Sequence, residues 1–97
     1  MTDSEQLTIL KKNLQQLSTA NDDLLLHLLE QADRRLAVLG VKNDGSGDYS
    51  DTRIDMAAYL FRKRDKDEDE SGMPVFLRRE IHDLRIHQRQ MAEEAEG

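Results

Sequence analysis

The residues with the clearest chemical potential are four cationic side chains near the end of the chain. Arg78, His82, Arg85 and Arg89 recur at three- and four-residue steps, so on a helix they align within about 60° of one another. Such a stripe could lie along DNA phosphates or meet carboxylates on another protein. Three arginines on phosphate would give a salt slope of about −2.7, which is modest binding. No aromatic residue is interleaved, and no helix-turn-helix spacing precedes the stripe. A solvated flank, or pairing within the chain, accounts for it as well. Val75 and Ile86 lie beyond the stripe, away from the apolar side, and mark a second contact surface.

Metal chemistry has less support. Asp23, His27, Glu30 and Arg34 share one helix face. Their order is His-x-x-Glu, the reverse of the Glu-x-x-His of carboxylate-bridged metal bundles, and there is no second copy. An ordinary Glu30–Arg34 pair explains the spacing. Asp44, Ser46, Asp48 and Ser50 alternate as in a calcium loop, but Tyr49 stands where glycine is needed and Asp55 where glutamate is. His82 and His87 point about 140° apart on one helix and cannot share an ion. The chain has no phosphate-cradling glycine loop, no nucleophile elbow and no cysteine. We therefore expect no enzyme, cofactor, metal or small-molecule substrate.

Composition narrows the elements that must position these residues. The 97 residues carry a net charge of −6, are 35% charged and include only two Tyr and two Phe. That favours a single helical domain over a sandwich or barrel. The acidic balance argues against coating nucleic acid through bulk charge. No apolar run reaches the ~20 residues that span a bilayer, so no membrane partner is expected. The opening MTDSEQ has no signal-peptide pattern, and a cytoplasmic location is expected.

The segment Asp22–Gly40 is the surest helix. Leu24, Leu25, Leu28, Leu29, Ala32, Leu36 and Leu39 form one stripe. Thr19 with Asp22, or Asn21, would cap its start. Gly40 suits the left-handed position at its end, with Val41 folding back onto Leu36. Leu26 and Val38 lie off the stripe. Ahead of it, residues 4–18 keep Leu7, Leu10, Leu14 and Leu17 on a narrow 3-4-3 seam, with Ser4 as a cap. Either a break at Ser18–Asp22 makes a helical hairpin, or the two segments run on as one long coiled-coil-like helix.

Residues 42–51 read as a polar loop and 65–72 as a charged linker. Between them a third helix begins at Ser50 or Thr52 and shows Ile54, Ala57, Ala58 and Phe61 on one face, widened by Met56, Tyr59 and Leu60. Pro74 opens a fourth helix with Met73, Leu77, Ile81, Leu84 and Met91 on one line. Gln88 interrupts that line, and residues 92–97 form an acidic tail expected to fray.

The expected fold is all-α: a single domain, residues 1–97, built as a small bundle of three to four helices, and dimeric. Leu7, Leu10, Leu14, Leu17, Leu26 and Val38 are the self-association candidates. Arg78, His82, Arg85, Arg89, Val75 and Ile86 are the partner-binding candidates. The expected function is a small non-enzymatic protein that regulates a larger protein by binding it, as adaptor, inhibitor or chaperone. The alternative is a dimeric DNA-binding regulator of transcriptional, plasmid or phage type, using the basic face of the last helix.

Overall fold

The computed structural model describes residues 2–15, 19–63 and 73–96, the side chains of 93–96 excepted. Leu17 and the 65–72 linker therefore fall outside the described residues. Those described form α1 (Asp3–Leu14), a 3₁₀ turn (Thr19–Asn21), α2 (Asp22–Val38), α3 (Gly47–Lys63) and α4 (Val75–Glu96), with no strand among them. None of these helices is long and apolar enough to cross a membrane.

The first two segments are separate helices rather than one rod. α1 stops at Leu14, where Gln15 turns left-handed (φ 57°) and its N–H donates to the carbonyls of Lys11 and Lys12. α1 and α2 pack together, and ion pairs at both ends set their relative direction. Lys11, late in α1, meets Asp22 at the start of α2 (2.9 Å). Asp3, at the start of α1, meets an arginine that also holds Asp33, late in α2. The pair is an antiparallel hairpin. Its leucine seam faces inward: Leu10 is fully buried, and Leu7 and Leu14 pack partly buried against the same core.

Local capping differs from expectation in three places. The cap of α1 is Thr2 rather than Ser4, in a reciprocal box with Glu5. Asn21 precedes α2 without a side-chain cap bond, and no Thr19–Asp22 box forms. The 42–51 loop ends early, because Ser46 Oγ accepts the Tyr49 N–H and starts α3 at Gly47. The would-be calcium loop is thus mostly helix. Gly40 behaves as its sequence predicts. At φ 89° it lets its own N–H reach the Ala37 carbonyl and the Val41 N–H reach that of Leu36, closing the last turn of α2.

The core draws on every helix: Leu10; Leu25, Leu29 and Leu36; Ile54 and Met56; and Leu77, together with Val41 from the connection, are all but inaccessible. Burying each such side chain contributes roughly 1.5–3 kcal/mol. α3 is the central element, touching α1, α2 and α4. At its heart sits a charge. Arg53 is 5% exposed. Its Nε donates to the Leu29 carbonyl, and its Nη1 to Asp3 (2.8 Å) and Gln6 Oε1 (2.9 Å). Its Nη2 meets Asp33 at 2.9 Å. Burial alone would lower the Arg53 pKa, but the bonds and charges of Asp3 and Asp33 outweigh it and hold the guanidinium charged. Tyr49 OH donates to the other Asp33 oxygen at 2.6 Å. Burial, then that bond, pushes the phenol up, so it stays a donor.

α4 lies on this hairpin-plus-helix body through Leu77, Ile81 and Leu84, all buried. Gln88, which seemed to weaken the stripe, fastens the helix. Its Oε1 accepts the Lys42 N–H (3.0 Å) and its Nε2 donates to the Lys42 carbonyl (2.6 Å) and to Asp44 (3.2 Å). Beyond it Met91 is 56% exposed, although it continues the core line. The helix itself continues to Glu96, past the residue 92 at which fraying is expected.

Candidate functional site: the exposed flanks of α4

Helix geometry divides α4 into three strips around its buried line. Measured from Leu77, Arg78, His82, Arg85 and Arg89 fall about 80–140° to one side. On the other side, about 60–120° away, fall Phe76, Glu80, Asp83 and His87. Val75, Arg79 and Ile86 crown the outward ridge. All four residues of the basic strip are exposed. Val75 and Ile86 are 56% and 44% exposed, and Phe76 is 55% exposed. The six partner-binding candidates thus share one continuous outer surface.

Neighbouring elements extend both strips. On the basic side, Arg35, Leu39, Met56, Tyr59, Leu60, Lys63, Met73 and Arg78 line a groove of about 310 Å³ between α2, α3 and the head of α4. Its floor is mostly apolar and its rim cationic. Lys63 Nζ sits over the Tyr59 ring, 5.7 Å from its centroid, a cation–π arrangement that holds the ammonium at the edge. Lower down, Lys42, Arg85, Gln88 and Arg89 border a second hollow of about 280 Å³. Arg85 approaches so closely that a methyl group on Gly40 would lie 3.2 Å from its Nε.

The other side is acidic. Asp48, Asp51 and Thr52 of α3 face Glu80, Asp83 and His87 of α4 across a hollow of about 370 Å³. Burial raises the Glu80 pKa to about 7, reinforced by a hydrogen bond to Asp55 and by the charges of Asp55 and Asp51. In its protonated form the Glu80 carboxyl can donate to Asp55, across from α4 to α3. Among the described residues no group of His, Cys, Asp or Glu is arranged to hold a metal ion.

The remaining candidates scatter. Asp23, His27, Glu30 and Arg34 all stand exposed on the wet face of α2. Leu26 is partly buried against the core, whereas Val38 is 85% exposed. Periodicity assigns Leu39, Tyr59 and Leu60 to the core, which conceals the groove residues of α2 and α3. Arg53 was also missed. Its signal was its place between Tyr49 and Ala57 on an apolar line, opposite an aspartate likewise set among leucines.

No protein-family model matches this chain, and no curated protein or solved structure does either.

Proposed function

We propose that this protein is a non-enzymatic helical module that acts by docking the basic flank and apolar ridge of α4 onto a larger protein. One observation carries the reading. A chain of net charge −6 gathers Arg35, Lys42, Lys63, Arg78, Arg85 and Arg89 around two adjoining hollows, next to exposed Val75 and Ile86. Charge sorted this way, beside apolar surface, favours a complementary protein face. Capture from the native cell tests it. A protein should be retained by the wild-type chain and lost with the triple variant R78A/R85A/R89A. Identical sets from the two baits would contradict the proposal.

DNA binding is the second reading, favoured by the same six cations. It requires a shift of mixed-sequence DNA at low salt that the triple variant loses. Self-association also belongs to this proposal. Leu10 is fully buried within the chain's own core and Leu7 and Leu14 are partly buried against it, which favours exposed surface such as Val38 for a dimer contact.

A further inference from the structure

We propose that α4 is an arm that opens from the rest of the fold as a unit, and that ionisation of Glu80 against Asp51 and Asp55 drives the opening. The two parts of the molecule are fastened differently. α1, α2 and α3 pack on one another and share Arg53, which reaches both other helices from α3. α4 packs chiefly on α3. Of its 22 residues, Leu77, Ile81 and Leu84 are the buried ones among those described. Gln88 adds its bonds to Lys42 and Asp44. None of the ion pairs among the described residues involves α4. An element held by few buried apolar side chains, beside a body held by many, opens before the whole fold does.

The seam between α3 and α4 carries charge of one sign. Asp48, Asp51 and Asp55 face Glu80 from α3, and Asp83 and His87 flank it on its own helix. No Lys or Arg lines that hollow among the described residues. As a carboxylate, Glu80 has no donor for its buried Oε2. As an acid it can donate to Asp55. Burial first, then Asp55, raises the pKa of docked Glu80 to about 7, whereas in an open arm it returns to the ordinary 4.5. The docked arm therefore holds a proton that the open arm releases. Docking is firmest below about pH 4.5 and weakens as pH rises through 7. Solvent on the open side of the hollow limits the change to about fivefold in the closed-to-open ratio between pH 5 and pH 8. Opening bares the Leu77, Ile81 and Leu84 line, so the inference concerns the inner face of α4 and stands apart from the docking of its outer one.

Native-state hydrogen exchange of the full chain, read by NMR, tests the inference. The amides of Leu77, Ile81 and Leu84 should open with a smaller urea dependence than those of Leu29 and Leu36 in α2, the mark of a partial opening. Their protection, corrected for the intrinsic pH dependence of exchange, should fall about fivefold from pH 5 to pH 8. Glu80→Gln should keep the smaller urea dependence and flatten the fall with pH. Asp55→Asn should lessen that fall. Equal urea dependences in α4 and α2 overturn the inference, because the fold then opens all at once. So does a pH profile that Glu80→Gln leaves unchanged.

Discussion

Arg53 Nη2 lies 2.9 Å from Asp33 Oδ2, and that pair joins α3 to α2 while the same guanidinium reaches Asp3 and Gln6 on α1. A buried guanidinium with one partner removed leaves an uncompensated charge, which is why such pairs are destabilising to break. Truncation of Arg53 should show this most sharply. Arg53→Ala is expected to lose about 3–5 kcal/mol by urea denaturation. Arg53→Lys should recover little, since one ammonium cannot serve Leu29, Asp3, Gln6 and Asp33 from the fork's positions. A loss under about 1 kcal/mol for Arg53→Ala would show that the network is incidental.

Gln88 acts as a side-chain mimic of a backbone pair against Lys42. Gln88→Ala should cost about 1 kcal/mol. Gln88→Glu should cost at least as much at pH 8, because it removes the donor to the Lys42 carbonyl and places a carboxylate beside Asp44. It should recover below about pH 4, where the protonated acid can donate again. Thermal unfolding of the two variants across pH checks both statements. Equal stability of Gln88→Glu and wild type at pH 8 would remove the fastening role.

Gln15 holds a left-handed conformation at φ 57°, which is unfavourable by roughly 1 kcal/mol for a residue with a Cβ. Glycine fits there. Gln15→Gly should therefore raise stability by about 0.5 kcal/mol, after allowing for the added freedom of the unfolded chain. A fall in melting temperature would indicate that α1 ends differently.

Glu80 sets a pH dependence of definite sign. Its folded pKa of about 7 lies above the ordinary 4.5, so the folded protein binds the extra proton. The stabilisation is complete below about pH 4.5 and is lost as pH rises through 7. Solvent on its open side reduces the effect to the order of 1 kcal/mol, or about 4–8 °C in melting temperature between pH 5 and pH 8. Asp48, Asp51, Asp55, Asp83 and His87 surround the same hollow or pair with Glu80, so comparison with Glu80→Gln isolates its share. The variant should show the flatter profile. Matching profiles would assign the dependence to its neighbours.

How far the sequence reveals this architecture follows from which interactions are local. Periodicity finds Leu25, Leu29 and Leu36 on α2 and Leu77, Ile81 and Leu84 on α4 because one helix face suffices to mark them. Gly40 is legible for the same reason, since its turn closes within six residues. The start of α3 is not, because KNDGSGDYSD is loop-like in composition and only the Ser46–Tyr49 bond, together with burial of Tyr49 and Arg53, favours helix there. The groove is hidden further, since Arg35, Lys63 and Arg78 become neighbours only when three helices assemble. The basic stripe of α4 could be placed on one face in advance. What surrounds it could not.

The central claim is that the basic flank and ridge of α4 form the contact face. A photo-crosslinking residue placed in turn at Ile86, Arg78 and Glu30, in the native cell, tests it most directly. One common protein adduct is expected from positions 86 and 78, and none from position 30 on the wet face of α2. An adduct from position 30 with none from 86 or 78 would contradict it.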